Sequence, residues 1–291
     1  MDTQRLLIFG LGYTGAAVAR AALAAGFAVT ATTRGGAAVP AGVQAVPFAA
    51  AAPAIAAATH VLSTVPPAGE GGGVDPVLDA HGAAIAAAPL LRWAGYFSTT
   101  GVYGDRQGGS VDETTPPAPD QPRSRRRLAA EQGWAALGDH RAVDLFRIAG
   151  IYGPDRSVLD ELRAGRARRI QRPGHVFCRI HRDDIAAATL AAMRQDRAAG
   201  VRVLHLADDE PAETAAVITE GARLLGIAPP PAIPFEAAAP AMSAMARSFW
   251  QESRRVSAAR TKAALGLAWR FPDYRAGLCA ILDAEREGGA G

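Results

Sequence analysis

With 291 residues, 49% of them hydrophobic and 20% charged, the sequence has room for one large α/β domain with a small appended lobe, and its composition excludes a disordered or fibrous chain. The formal net charge of +3 is spread over 31 basic and 28 acidic residues with no continuous basic stripe, so nucleic acid is not expected as a partner. Cys178 and Cys279 have no redox or metal-ligand spacing, and the apolar run Leu6 to Phe9 is too short for a membrane span or a signal-peptide core, so a cytoplasmic protein without membrane association is expected.

Leu6-Leu7-Ile8-Phe9 is a continuous apolar run ending in glycine, as a buried parallel strand requires, and Ala16 to Ala25 reads as a helix stopped by Gly26. Phe27 to Thr32 supplies the next strand and closes a βαβ unit. Further strands are expected at Val43 to Phe48, His60 to Thr64, Trp93 to Ser98, Val143 to Ile148 and Val203 to Leu206, with Ala-rich or amphipathic helical stretches between several of them. This alternation predicts an α/β fold with a doubly wound parallel sheet. The segment 104–122, with Gly108, Gly109, Pro116, Pro117, Pro119 and Pro122, reads as a loop.

After about residue 150 the alternation loosens, and Gly153-Pro154, Pro229-Pro230-Pro231, Pro234 and Pro272 punctuate the chain. The expected division is a nucleotide-binding domain over 1–150, followed over 151–291 by the remaining sheet elements and a small substrate-binding lobe, with a cleft between the two parts. Asp208-Asp209-Glu210-Pro211 reads as a helix start, with acids at the positive end of the dipole and proline in the first turn. His175, His181, Asp183 and Asp184 fit no compact ligand spacing, so no metal site is expected.

Gly10-Leu11-Gly12-Tyr13-Thr14-Gly15 joins the first strand to the first helix. In such a loop the first glycine permits the tight turn, the second lets backbone approach a pyrophosphate, and the third allows close packing of helix on strand. The helix N-terminus then faces the anion. The second strand ends in Thr32-Thr33-Arg34, where an NAD-preferring site carries an acid for the ribose 2′-hydroxyl, and no Asp or Glu occurs between Asp2 and Glu70. Arg34 can pair with a 2′-phosphate, aided by the hydroxyls of Thr32 and Thr33, so NADP is the expected cofactor and NAD the less favoured one.

A second signature, Ser98-Thr99-Thr100-Gly101-Val102-Tyr103-Gly104, together with the glycine loop, resembles the short-chain dehydrogenase/reductase superfamily in its extended or atypical branch. Val111-Asp112-Glu113, Leu128-Ala129-Ala130-Glu131, Arg147 to Pro154, Arg179 to Ala186, Arg255-Val256-Ser257 and Phe271 to Arg275 are similar to NAD-dependent epimerase/dehydratase-like proteins, and they span nearly the whole chain. The resemblance implies a Ser or Thr that polarises the substrate oxygen, a position matched by Thr99 with Thr100 as fallback. It also implies a Tyr as acid or base and a Lys four residues on. Here the pattern breaks: Lys262 is the sole lysine and Ala258 stands four before it, so no Tyr-x-x-x-Lys pair exists. The alignment puts Arg123 at the Tyr position and Arg127 at the Lys position. Arg127 can hold the nicotinamide ribose, but a guanidinium does not shuttle protons near neutrality. Tyr103 and His181 are the remaining proton-transfer candidates. Where the sugar-nucleotide branch carries a diphosphate-gripping arginine, this chain has Phe177, with Arg156 as a substitute.

The resemblance therefore implies an NADP(H)-dependent oxidoreductase or epimerase-like enzyme acting on a small carbonyl or hydroxyl compound, as a monomer or homodimer. Two other readings stand beside it: a non-catalytic NADP(H)-binding sensor or scaffold, and a sugar-nucleotide epimerase or dehydratase.

Overall fold

The computed structural model describes residues 4–33, 39–69 and 74–288. Seven strands build one sheet: β1 (Arg5–Phe9), β2 (Ala28–Thr33), β3 (Val43–Pro47), β4 (His60–Ser63), β5 (Trp93–Thr99), β6 (Ala142–Ile148) and β7 (Gly200–Leu206). Their order is β7-β6-β5-β4-β1-β2-β3. The chain builds β1 to β3 in one direction and then returns to the other side of β1 for β4 to β7, so strand order reverses at the β1/β4 boundary. In a sheet of this kind that reversal opens a crevice outside the strands' carboxyl ends.

Leu6, Leu7, Ile8 and Phe9 are all essentially sealed from solvent, which is why β1 after its exposed first residue Arg5 is continuously apolar instead of alternating. β6 is buried along its whole length and still carries two charges. One of them, Asp144, is satisfied by the indole N–H of Trp93 at 2.8 Å and by the guanidinium groups of Arg197 and Arg202. Buried charge persists where partners of this kind replace water.

The principal helices are α1 (Tyr13–Ala24), α2 (Pro76–Ala86), α3 (Pro122–Ala135), α4 (Val158–Arg163), α5 (Arg182–Met193), α6 (Thr214–Leu225) and α7 (Tyr274–Gly288). Asp75 caps α2 by accepting the Val77 and Leu78 N–H groups, while its second oxygen takes the indole N–H of Trp134 in α3. Among the described residues no helix is long and apolar enough to cross a membrane.

The chain forms two compact units that interleave along the sequence, whereas the sequence suggests a single boundary near residue 150. One takes in Met1–Val102, Pro122–Ile148 and Ile185–Leu204, the other Tyr103–Gln121, Ala149–Asp184 and His205–Gly291. The first unit's core joins Leu7, Phe9, Val61, Tyr96, Trp134 and Leu145, with the Tyr96 and Trp134 rings stacked at 5.8 Å. In the second, Tyr152, Leu159, Val217, Tyr274 and Leu278 pack together, and short parallel ribbons pair Gly150–Tyr152 with Arg179–His181 and Ser110–Val111 with Arg255–Val256.

One expectation is corrected. Asp208-Asp209-Glu210-Pro211 does not start a helix, because α6 begins only at Thr214. The Asp208 N–H donates to the Arg179 carbonyl and the Asp209 N–H to the Pro272 carbonyl, which holds the segment as a loop. Long-range backbone bonds here override the local acid-and-proline signal.

Candidate functional site

β1 ends at Phe9 and the chain turns at Gly10 with φ +89°, a conformation open to glycine. A Cβ at Gly10 would lie 2.8 Å from Thr64 Oγ1, and one at Gly15 only 2.4 Å from the Gly10 carbonyl oxygen, so both positions require hydrogen for α1 to pack on the strand end. Gly12 differs. A Cβ there would meet no protein atom within 4 Å. Packing among the described residues makes no demand for glycine at this position, which leaves open space beside the helix end. Gly12 is also the N-cap of α1, where no side chain caps the helix and no acid occupies the first turn. An uncapped, positively polarised helix end beside a glycine with open space is a site for an anion.

Gly10, Leu11 and Gly12 line a pocket of about 700 Å³ whose other walls are Thr32, Thr33, Thr64 and the Val65 to Ala68 segment. It lies wholly in the first unit, at the point where strand order reverses. Among the described residues its lining carries no charged side chain, so that part of the wall offers backbone amides, hydroxyls and apolar surface. The loop is clamped from both sides: Thr32 Oγ1 accepts the Gly10 N–H at 3.2 Å, and Thr64 Oγ1 donates to the Gly10 carbonyl at 2.7 Å. Thr32 is buried and its hydroxyl holds the loop, leaving Thr33, half-buried on the pocket wall, as the outward-facing threonine. Tyr13 and Thr14 are half-buried in the first turn of α1. Arg34 lies outside the described residues. Sequence reasoning missed Thr64, because nothing but the fold reveals that the end of β4 meets the first glycine.

Phe9, Ser63 and Tyr96 are neighbours in register across β1, β4 and β5, so the glycine loop, Thr64 and the residues after Tyr96 share one carboxyl edge. There Thr99 Oγ1 accepts the Gly101 N–H at 3.1 Å, keeping its own proton for another acceptor, whereas Thr100 is buried. Arg127, half-buried on α3, donates through Nη1 to the Phe97 carbonyl at 2.9 Å and to the Tyr96 hydroxyl at 3.2 Å, with its guanidinium 5.7 Å from the centre of the Tyr96 ring. Burial pushes the Tyr96 phenol above its ordinary range, so it stays neutral. Arg123 is half-buried one turn earlier on α3. Glu131 is enclosed and pairs with Arg147 while accepting the Ser98 hydroxyl, so this member of the helix signature is a scaffold residue.

The second unit holds Tyr103 and His181. Tyr103 has no exposed surface, and its hydroxyl bonds to His205 Nε2 and the Asp112 carbonyl. The Ser257 carbonyl can only accept, so its contact with His205 Nδ1 places a proton there, while the single Tyr103 hydroxyl proton lies between the Asp112 carbonyl and His205 Nε2. His181 is likewise enclosed, with its ring 4.1 Å from that of Phe271 and Nδ1 accepting the Asp183 N–H. Burial lowers its pKa to about 4, which leaves a neutral imidazole at pH 7. Neither group is set up as a proton shuttle near neutrality. Phe177 packs against Trp250 and His175, so an aromatic cluster stands where the diphosphate arginine is expected. Arg156 lines a separate pocket of the second unit. Among the described residues no three His, Cys, Asp or Glu side chains form a group suited to a metal ion.

No protein-family model and no curated protein matches the sequence. Solved structures do. A functionally unknown conserved protein from Silicibacter pomeroyi is 41% identical, with 97% of this chain and 100% of that chain covered and a TM-score of 0.86. A protein from Methylobacillus flagellatus, provisionally assigned as an NAD-dependent epimerase/dehydratase, is 26% identical over 98% of this chain and 100% of its own, with a TM-score of 0.74. A human epimerase family protein solved with NADPH shares the fold at 20% identity, over 96% of this chain and 99% of that one, with a TM-score of 0.73.

Proposed function

On the premise that this chain belongs to the extended short-chain dehydrogenase/reductase group of NAD-dependent epimerase/dehydratase-like proteins, we propose that it is an NADP(H)-dependent oxidoreductase or epimerase-like enzyme for a small carbonyl or hydroxyl substrate. The observation that carries the reading is Gly12, a glycine with no steric reason among the described residues, at an uncapped helix end on the wall of a 700 Å³ pocket. That geometry suits a dinucleotide pyrophosphate, held by the amides of the Gly10 to Gly15 loop and the α1 dipole. Thr33 and Arg34 supply the 2′-phosphate contacts, while Thr32 acts one step back by fixing the Gly10 peptide.

A bound nicotinamide supplies or accepts the hydride. Thr99, whose hydroxyl proton is not used in its bond to Gly101, donates to the substrate oxygen, and Thr100 supports the same strand exit. Arg127, fixed on the Phe97 carbonyl and the Tyr96 hydroxyl, holds the ribose and stabilises negative charge developing on the substrate oxygen. Arg123 adds to that positive field. Neither arginine gives up a proton near neutrality, so they stabilise the negative charge on the substrate oxygen, and the proton that the oxygen gains or loses is exchanged with solvent water in place of the Tyr-Lys relay.

One second reading has a specific observation behind it. Tyr103 and His181 are sealed and no Tyr-x-x-x-Lys pair exists, as a non-catalytic NADP(H)-binding sensor would allow. Two assays separate the readings. Isothermal titration with NADPH and NADH tests the cofactor, and a clear NADH preference overturns the NADP assignment. NADPH oxidation across a carbonyl library, with Thr99→Ala as control, tests catalysis. Tight NADPH binding with no turnover in any arm favours the sensor.

A further inference from the structure

We infer that the second compact unit carries a binding site for an amphipathic organic anion, one phosphate or carboxylate group on a small apolar or aromatic body, in the pocket floored by Arg179. This pocket, of about 550 Å³, is lined only by residues of that unit and is used by nothing in the proposed reaction.

The argument starts from the charge on Arg179. Arg179 is half-buried, and only Nη1 has protein acceptors among the described residues: the Phe177 carbonyl at 2.9 Å and the Ala212 carbonyl at 3.0 Å. No carboxylate of the described residues forms an ion pair with it. The strongest opposite charge acting on it is that of Asp208, whose two carboxylate oxygens are buried and have only the Arg179 and Glu210 backbone N–H groups turned towards them, none in a well-formed hydrogen bond. Burial pushes the Asp208 carboxyl up to about 8, so near neutrality it is mostly the neutral acid and does not balance the guanidinium. Withdrawing a cation even partly from water without an ion-pair partner is costly, and this one lines the pocket with donors beyond Nη1.

Two of the three acids on the pocket wall are already committed, and the third, Asp155, is exposed at the rim. Asp160 Oδ2 accepts both the N–H and the hydroxyl of Ser157 at 2.7 Å each, closing the capping box of α4. Glu161 holds Arg166 in a two-pronged pair. Arg156 and Arg168 stand exposed at the rim, and Thr214, the first residue of α6, adds a hydroxyl. Between these polar groups the wall is apolar, built from Val217, Ile218 and Leu278 with the Tyr152 and Tyr274 rings. Fork-shaped guanidinium donors suit a phosphate or carboxylate, and the aliphatic and aromatic wall suits a compact apolar body joined to it.

The test uses the full chain and three probes: phenyl phosphate, benzoate and phenol. By isothermal titration, phenyl phosphate or benzoate is expected to bind with a Kd below about 1 mM and phenol roughly tenfold or more weakly. The double variant Arg156→Gln/Arg168→Gln should lose roughly tenfold in anion affinity with unchanged circular dichroism, and Arg179→Met should abolish binding. Which of the two anions binds tighter assigns the head group. Gly12→Val, which fills the other pocket, should leave the affinity unchanged, so the result stands apart from the nucleotide reading. The inference is overturned if neither anion binds folded wild-type protein, if phenol binds equally well, if the rim variants keep full affinity, or if Gly12→Val removes the signal.

Discussion

Arg147 Nη2 lies 2.7 Å from Glu131 Oε2, an ion pair enclosed between β6 and α3, with the Ser98 hydroxyl donating to the same carboxylate. The pair ties the strand preceding Thr99 to the helix that carries Arg127. Removing one partner strands the other charge, which typically costs about 3–5 kcal/mol, whereas replacing both by apolar side chains of similar volume is often neutral. Glu131→Leu is therefore expected to lower the urea midpoint steeply, and Glu131→Leu/Arg147→Met to recover most of the loss. Equal midpoints for single and double variants would show that the charge is not the issue.

The glycine loop separates two kinds of requirement that a sequence motif merges. Gly15 is required by the protein, because a Cβ would press against the Gly10 carbonyl at 2.4 Å. Gly15→Ala should destabilise the fold by about 1–3 kcal/mol, the usual cost of overpacking. Gly12 has open space, so Gly12→Val should melt like wild type and yet lose NADPH affinity by two orders of magnitude or so, roughly 3 kcal/mol. Circular dichroism melting beside NADPH titration reads both. A Gly12→Val protein that still binds NADPH normally would remove the main support for the pocket assignment.

The central sheet strands were legible because a strand buried on both faces is largely apolar, as Leu6 to Phe9 of β1 and Trp93 to Phe97 of β5 show. The glycine loop was legible because it stands between such a strand and a helix. What did not show was long-range: Thr64 reaching Gly10 from 54 residues away, and Asp75 joining α2 to Trp134 across 59. The same limit explains the misread Asp208 segment, whose loop is fixed by Arg179 and Pro272. Tyr103 and His181 looked reactive by type alone. Their burial, which sets their chemistry, depends on residues such as His205 and Phe271 that lie far along the chain.

Cofactor preference rests on the end of β2. With Thr32 spent on the Gly10 amide, the proposed NADP(H) reading assigns the 2′-phosphate contact to Arg34, and a hydrogen bond to a charged group is worth about 1.5–3 kcal/mol. Arg34→Ala should therefore weaken NADPH by roughly 10- to 100-fold and leave NADH almost unchanged. Parallel losses for both nucleotides would assign Arg34 a structural role instead.

Burial also sets how stability varies with pH. His60 gives its Nε2 proton to the Met193 carbonyl and accepts from Thr59 at Nδ1, so it is satisfied as a neutral ring, and burial lowers its pKa to about 4. His181 is lowered to the same range. Against the unperturbed value of 6.5, both take up a proton more readily when unfolded, so their contribution is lost as pH falls from 6.5 towards 4. Asp208 acts in the opposite sense. Raised from 3.8 to about 8, it binds its proton more tightly when folded, so its contribution declines as pH rises from 4 through 8. Below pH 6.5 the lowered His60, His181 and His175 oppose the raised Asp75, Asp184 and Asp208, and above 6.5 the Asp208 carboxyl contributes the main decline. Urea midpoints are expected to peak near pH 6.5 and to fall by pH 8, with a slope of at most about 1.4 kcal/mol per pH unit. Asp208→Asn should flatten the alkaline decline and leave the acid limb in place. A wild-type midpoint that keeps rising from pH 6.5 to 8 would mean that Asp208 is ionised in the fold and pairs with Arg179 after all.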